Sequence, residues 1–299
     1  MKSELITGNC LDYLQNSLVP DFDLTFLDPP FNQGKKYVGH DDNMDPATYW
    51  QWITSLCAAI YNHTSPGGGI YFMHREKNAQ QVLAALTATG WQFQNLIIWK
   101  KKATAIPQQH RYSLQHQIIV FATKGERPLV FNPLRIDIPL AAHEKTPRPR
   151  GILVTDVWDD IRELTSGYYA GAEPLRRADG TRLHNQQAPV HLLTRILLTS
   201  TQVGDVIFDP FAGTATSLIV AAQLSRIAVG VEMNPENVAA ATKRLQESRT
   251  CDNILKYREY YRHTKNLEII WPELNNGLRY FPVEIANKDF CHRQEVQYI

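Results

Sequence analysis

The chain of 299 residues lacks any apolar stretch as long as the ~18 residues that a membrane-spanning helix requires. Residues 1–5 do not show the basic and apolar regions of a secretory signal peptide. Cysteine is scarce, and no Cys-x-x-Cys pair occurs among Cys10, Cys57, Cys251 and Cys291. These absences argue against membrane insertion, a disulfide framework and structural zinc. We therefore expect a reduced, cytoplasmic protein with no metal site and no membrane partner.

The chain also has almost no net charge, because 31 Lys and Arg residues are offset by 30 Asp and Glu residues, which leaves +1. This balance argues against a basic coat for nucleic acid over the whole surface. The charges are unevenly spread, however, and residues 100–182 hold 14 basic and 9 acidic residues. That middle block is a candidate phosphate-facing surface, although a solvated loop region explains the same charges.

A short apolar run, residues 24–27, predicts a buried strand that stops at once in Asp28, Pro29, Pro30 and Phe31. Proline cannot continue a central strand, and it holds the residue before it extended. The carboxylate and the ring are thus expected on a stiff turn at the carboxyl end of a strand, where open α/β sheets bind ligands. There Asp28 and the Pro29 carbonyl can accept both hydrogens of a planar exocyclic amine, and Phe31 can stack on its ring. A chance turn after a strand is the alternative.

A second stretch predicts a cofactor that contains adenosine. Residues 204–217 indicate a strand, a turn and a helix; Gly213 in the turn permits close approach of a ligand, and Thr214 begins a row of free N–H groups. The following strand ends at Glu232, 19 residues after Gly213. An acid at that position is well placed to bind the two hydroxyls of a ribose.

Strand and helix patterns alternate over most of the chain and predict an α/β fold with a largely parallel sheet. Three irregular segments interrupt the pattern, at residues 32–45, 100–114 and 124–182. The first is expected to be a mobile lid, a contact to nucleic acid or plain disorder. Basic and aromatic side chains of these segments suit phosphate contacts and base stacking. The candidates are Lys35, Lys36, Tyr37, Lys101, Arg111, Arg148, Arg150, Arg176 and Arg177.

The two motifs together resemble the amino-group DNA methyltransferases, which use S-adenosylmethionine. The amine-binding turn comes first and the cofactor stretch Asp209-Pro210-Phe211-Ala212-Gly213 comes late, which is the permuted order of the class called beta. The resemblance spans residues 4–124 and 184–246. RNA and protein-glutamine methyltransferases with a similar turn generally place the cofactor loop first, and the Pro-Cys nucleophile of cytosine carbon-5 enzymes is absent. The resemblance implies a Rossmann-like fold with a mostly parallel central sheet, helices on both faces and an irregular target-recognition insert.

The resemblance also implies roles for individual residues. The turn formed by Asp28, Pro29, Pro30 and Phe31 would hold and activate a base flipped out of the duplex. The methyl group would pass directly from the cofactor to the base. The cofactor-binding residues would be Asn9, Cys10, Asp28, Asp209, Phe211, Gly213, Thr214 and Glu232.

Three positions depart from the family. Asn9 stands where an acid is usual, Ala215 where a second loop glycine is usual, and Ala188 where a lysine before proline is usual. The lysine commonly lies near the cofactor, so we expect Gln186 or Gln187 to take its place.

The chain is expected to divide into four parts. Residues 1–124 would form the catalytic half of the core, and residues 184–248 the cofactor-binding half. Residues 125–183 would form the target-recognition insert. Residues 249–299 would form a C-terminal extension that faces DNA, contacts a second copy of the chain or simply covers the sheet.

An Asp before Pro-Pro, rather than a Ser, favours N6 of adenine in double-stranded DNA as the target in this family. The alternatives are N4 of cytosine, an RNA substrate, and a catalytically lapsed DNA-binding subunit. A homodimer and a restriction endonuclease partner are left open. In a prokaryote the protein would be associated with the nucleoid.

Overall fold

The computed structural model describes residues 3–16, 18–35, 37, 39–102, 107–138, 148–164, 171–184, 186–247 and 249–272, and the backbone of 283–286. The helices are α1 (Cys10–Leu14), α2 (Pro46–Asn62), α3 (Ala79–Ala88), α4 (Val190–Ser200), α5 (Thr216–Gln223), α6 (Pro235–Gln246) and α7 (Leu267–Ile270). The strands are β1 (Ser3–Thr7), β2 (Phe22–Leu27), β3 (Thr64–His74), β4 (Gln92–Lys100), β5 (His116–Thr123), β6 (Arg135–Ile136), β7 (Ile152–Leu153), β8 (Val157–Trp158), β9 (Val206–Asp209), β10 (Ile227–Glu232) and β11 (Val283–Ala286). None of these helices has the length and apolarity needed to cross a membrane.

Nine strands form one sheet in the order β11-β1-β10-β9-β2-β3-β5-β4-β8. Neighbouring strands run parallel, except that β5 is antiparallel to both β3 and β4. The chain winds outward in both directions from the pair β9 and β2, so the carboxyl ends of these strands form a topological switch point. The sheet confirms the predicted α/β class and its mostly parallel character.

Two apolar clusters cover the two faces of the sheet. One joins the sheet to α4 and α5 through Leu193, Ile196 and Leu218. The other joins it to α2 and α3 through Ile53 and Leu86. Because both faces are buried, the central strands are continuous apolar runs instead of alternating patterns.

The segment that the sequence marks as an irregular insert is joined firmly to the core where it is described. Its β6 and β7 form a two-stranded sheet, and β8 adds to the main sheet beside β4. Asp160 accepts hydrogen bonds from both terminal nitrogens of Arg195 on α4, whose side chain is 1% exposed. The hydroxyl of Tyr260 donates to the same carboxylate at 2.6 Å. The insert, α4 and the C-terminal extension therefore share one buried ionic group.

The described part of the C-terminal extension packs on the core. Asp252 accepts two hydrogen bonds from the buried guanidinium of Arg244 on α6, at 2.7 and 2.9 Å. Trp271 is 1% exposed, and β11 extends the sheet beside β1. Residues 273–282 and 287–299 lie outside the described residues, so the expected contact with DNA or a second copy stays a prediction.

Candidate active site

A cavity of about 580 Å³ opens at the carboxyl ends of β1, β2, β9 and β10. We call it the central cavity. Thirteen of the predicted catalytic, cofactor-binding and DNA-binding residues line it: Asn9, Cys10, Asp28, Pro29, Pro30, Lys35, Tyr37, Arg177, Asp209, Phe211, Gly213, Thr214 and Glu232. The structure therefore brings both sequence motifs to one site, although about 180 residues separate them in the chain.

Asp28 follows β2 directly and is partly exposed to the cavity. No N–H or O–H group in the described part of the chain donates a hydrogen bond to its carboxylate. Burial raises the pKa of Asp28 well above its ordinary value, and the nearby charge of Asp209 raises it further. The charges of Lys101 and Lys35 act in the opposite direction. The result is a carboxyl group with free acceptor atoms and an increased affinity for a proton.

Two side chains from other elements, Tyr49 on α2 and His74 on β3, fix the turn after Asp28 through hydrogen bonds. The hydroxyl of Tyr49 on α2 donates to the Pro30 carbonyl at 2.7 Å and lies 3.0 Å from Nε2 of His74. The other ring nitrogen of His74 accepts the N–H of Arg75 at 2.8 Å, so Nε2 carries the proton and donates to Tyr49. Burial lowers the pKa of His74 to about 3, which keeps the ring neutral. Sequence reasoning missed both side chains, because neither stands in a motif.

Phe31 does not line the central cavity. Its ring is 3% exposed and packs against His74, with centroids 4.7 Å apart. The stacking of Phe31 on a base, which the resemblance implies, stays a prediction and requires the ring to leave this contact. Trp52, which lines the cavity from α2, was missed because its position fits the apolar face of an amphipathic helix.

The loop after β9 is organised by Asp209, which is 5% exposed. Its carboxylate accepts the Phe211 N–H at 3.1 Å and the hydroxyl of Ser217 on α5. Burial raises the pKa of Asp209 to about 7. Ala215, at the place of a family glycine, has a left-handed backbone with φ of +61°, which is strained for an alanine. The loop therefore has, at Ala215, a backbone conformation that glycine would adopt without strain.

Glu232 joins this loop to α6. One carboxylate oxygen accepts the Gly213 N–H at 2.8 Å, and the other accepts the Asn234 N–H at 2.7 Å and lies 3.4 Å from the Asn237 amide nitrogen. Burial raises the pKa of Glu232. The oxygen that accepts the Gly213 N–H still has acceptor capacity for a hydroxyl group of a ligand.

Asn9 caps α1, because its side-chain oxygen accepts the Leu11 N–H at 2.8 Å. Asn9 also lines the central cavity, and its amide N–H₂ is a hydrogen-bond donor, whereas an acid would present only acceptors. Beside it, burial raises the pKa of Cys10 to about 12, so this side chain is a neutral thiol.

The predicted DNA contacts differ in their surroundings. Arg177 forms a double hydrogen bond with Glu236 on α6, at 2.6 and 2.7 Å, so its charge already has a partner. Lys101 is half-buried, with its amino group 4.8 Å from the centre of the Trp99 ring. Arg176 donates to the Gly180 carbonyl at 2.9 Å. Arg111 and Arg150 are exposed, whereas Arg148 is half-buried. Lys36 lies outside the described residues.

Three residues near the entry to α4 complete the cavity wall. Gln186 accepts a hydrogen bond from the Tyr37 hydroxyl at 3.1 Å and lines the cavity. Gln187 also lines the cavity, but its side-chain oxygen accepts the Leu175 N–H and its side-chain nitrogen donates to the Glu173 carbonyl. His184 was not predicted; burial lowers its pKa to about 4, and the ring is therefore neutral.

A doubly wound sheet that joins an Asp-Pro-Pro turn and a glycine loop in one cavity at its switch point defines a Rossmann-like methyltransferase fold. The chain belongs to the N6/N4 DNA methylase family, whose family model matches residues 22–243. It is therefore a DNA methyltransferase of the amino-group type.

Two curated relatives agree with this assignment. The Type II methyltransferase M.HpaI of Haemophilus parainfluenzae is 29% identical over 246 residues, which are 82% of this chain and 74% of the relative. The DNA adenine methyltransferase YhdJ of Escherichia coli K12 is 24% identical over 254 residues, 81% of this chain and 82% of the relative.

Solved structures of the same fold include an M1.HpyAVI complex with S-adenosylmethionine, at a TM-score of 0.54 and 20% identity, covering 82% of this chain and 99% of that one. The cytosine-N4-specific PvuII DNA methyltransferase matches with a TM-score of 0.61 and 19% identity, covering 91% of this chain and 95% of that one. At these identities the likeness shows the fold alone.

Proposed function

We propose that the protein uses S-adenosylmethionine to methylate the exocyclic N6 of an adenine flipped out of double-stranded DNA. The observation that carries the proposal is the shared cavity: Asp28 and Pro29 face the same space as Gly213 and Glu232. A planar amine held by the first pair would thus lie beside a cofactor held by the second.

The residues present fit this cofactor. Gly213 leaves the backbone open to a ligand, whereas a Cβ at this position would project towards the facing wall and lie 3.4 Å from Nε2 of His184. Glu232 has acceptor capacity for ribose hydroxyls, and Phe211 and Trp52 supply an apolar wall. The fold neighbour M1.HpyAVI was solved with S-adenosylmethionine. The cofactor would supply a methyl group on a cationic sulfur.

Asp28 and the Pro29 carbonyl would accept the two hydrogens of the target amine. Holding both hydrogens in these directions localises the nitrogen lone pair and directs it towards the donor. The nitrogen must lose a proton once its bond to the methyl carbon has formed. Asp28 is suited to take that proton, because burial has raised its pKa. No covalent enzyme intermediate is required.

The target base has to leave the duplex, because Asp28 lines a cavity that a base stacked in a duplex cannot enter. Flipping costs a few kcal/mol of stacking and pairing. Aromatic rings can return ~1–3 kcal/mol for each stacked base. Residues 125–183 are proposed to read the target sequence, since this segment is irregular, carries nine Lys and Arg residues, and is fixed on the core through Asp160.

Adenine is proposed over cytosine because Asp28 precedes the two prolines, and because YhdJ is an adenine methyltransferase. The fold does not decide, as the cytosine-N4-specific PvuII enzyme shares it. The likeness to the Type II methyltransferase M.HpaI supports a place in restriction–modification, with a cognate endonuclease as partner.

The test is incubation of purified protein with S-adenosylmethionine and unmethylated genomic DNA, followed by mass spectrometry of the nucleosides. We expect N6-methyladenine. N4-methylcytosine would keep the mechanism and refute the base assignment. If neither product forms and calorimetry detects no cofactor binding, the result would instead support a catalytically lapsed DNA-binding subunit. Ala188 and Ala215, which depart from the family pattern, favour that alternative. Competition between duplex DNA and RNA tests the substrate class.

A further inference from the structure

The loop between β2 and α2, residues 32–45, is fixed around one buried carboxylate. Asp42 is 2% exposed and accepts the backbone N–H groups of Asn32, Gln33 and Lys35 at 2.8 to 3.0 Å. The side chain of Asn32 exchanges two hydrogen bonds with the backbone of Met44, both 2.8 Å long. The described part of this loop is therefore a built structure, and its polar groups are well satisfied.

One imidazole in the loop is an exception. Nε2 of His40 is shut off from solvent and has no hydrogen-bond partner within the described residues. The ring packs on Trp52 with centroids 4.9 Å apart, and the residue lines the central cavity. A buried polar nitrogen without a partner costs free energy, and native proteins rarely leave one unexplained. Because the residue lines a ligand cavity, a turn of its ring towards the cavity would let a bound ligand supply the missing partner.

The surroundings of His40 identify the part of the ligand that lies there. Gly39 touches the residue that follows Glu232: a Cβ at Gly39 would come within 2.7 Å of the Met233 methyl carbon. Trp52 in turn contacts Phe211 of the cofactor loop, at 5.9 Å between centroids. The side chains of Trp52, Met233 and Phe211 make this part of the wall largely apolar, and Glu232, the proposed ribose ligand, directly precedes Met233; both features suit the adenosine half of the ligand better than its amino acid.

We propose that His40 is a cofactor-binding residue that hydrogen-bonds the adenosine half of S-adenosylmethionine. The inference rests on the proposed function and adds a contact that the two sequence motifs do not contain. Burial lowers the pKa of His40, so the ring offers one N–H donor and one acceptor. Ribose hydroxyls and the edge of adenine can partner either atom. In this arrangement the described residues of the 32–45 loop form one wall of the cofactor site, in place of the mobile or disordered segment that the sequence allowed.

The test compares the parent protein with His40→Phe, which keeps a ring against Trp52 and removes both nitrogens. Binding of S-adenosylhomocysteine and of 5′-methylthioadenosine is measured by calorimetry; the second ligand has the same adenosine but no amino acid. Loss of one neutral hydrogen bond should weaken both ligands by the same factor, about fivefold. His263→Phe is the matched control, because that histidine does not line the cavity, and it should leave both dissociation constants unchanged.

A merely structural role is excluded by melting curves without ligand. His40→Phe removes an unsatisfied nitrogen, so its melting temperature should equal or exceed that of the parent protein. A lower melting temperature together with weaker binding would refute the proposal, as would unchanged affinity for both ligands. A loss confined to S-adenosylhomocysteine would move His40 to the amino-acid half and also refute it. Failure of the parent protein to bind either ligand would refute the proposed cofactor itself.

Discussion

Asp28→Asn should make the protein more stable and nearly inactive at the same time. Burial and the charge of Asp209 raise the pKa of Asp28, so the folded protein holds this proton to a higher pH than the unfolded chain. The ionised form therefore destabilises the fold. The cost is absent below the ordinary pKa of 3.8 and grows with pH until the folded-state pKa is passed.

The magnitude follows from linkage. Each unit by which folding raises the pKa removes about 1.4 kcal/mol of stability once the group is ionised. Asparagine carries no charge, and its amide can be hydrated because position 28 is partly exposed to the cavity. The activity should fall by a factor on the order of 10² to 10⁴, since the variant loses its charge and its capacity to take a proton.

The assay is a set of thermal melts of cofactor-free protein from pH 4 to pH 8, combined with kcat at pH 7. We expect the melting temperature of Asp28→Asn to match that of the parent near pH 4 and to exceed it increasingly at higher pH. Asp12→Asn, at an exposed position, is the control for loss of a carboxylate. A variant that is no more stable at pH 7, or that keeps kcat within threefold, would refute the account of Asp28.

Four further substitutions test the site and its supports. Glu232→Ala should raise the dissociation constant for cofactor at least about tenfold in calorimetry, as expected for lost hydrogen bonds to a charged acceptor; an unchanged value would place the ribose elsewhere. Asp42→Ala should lower the free energy of unfolding by about 2–4 kcal/mol in urea, because three N–H groups lose their acceptor. Asp160→Ala should cost about 3–5 kcal/mol, since Arg195 is left buried without its carboxylate, and a smaller loss would mean that water reaches the guanidinium. Arg177→Ala breaks an exposed ion pair and should change stability by less than ~1 kcal/mol, so a large loss of DNA affinity in that variant would mark a direct phosphate contact.

The sequence was sufficient for the features that depend on local rules. Proline stiffness after an apolar run located the turn at Asp28, and the strand–glycine–helix pattern located the loop at Gly213. Because parallel strands end at one edge of a sheet, the two motifs could be placed together before the structure was known, and both line the central cavity.

Features that depend on partners far along the chain could not be predicted in this way. Whether the Phe31 ring faces a ligand or the core is decided by His74 on β3, which occupies the space beside it. Whether Arg177 is available for phosphate is decided by Glu236, 59 residues away. Counts of basic residues describe the total charge of a segment, but they do not show which charges are already paired.

The missing lysine at position 188 makes the same point for the cofactor site. The expected substitutes were the neighbouring glutamines, yet Gln187 is committed to the backbone of residues 173–175. A lysine does line the cavity: Lys35, whose charge lowers the pKa of His184 and acts on that of Asp28. It comes from the loop built on Asp42, in the opposite half of the chain. Position 188 has lost the family's lysine, but the cavity still contains a lysine, Lys35. A site is defined by positions in space and not by positions along the sequence.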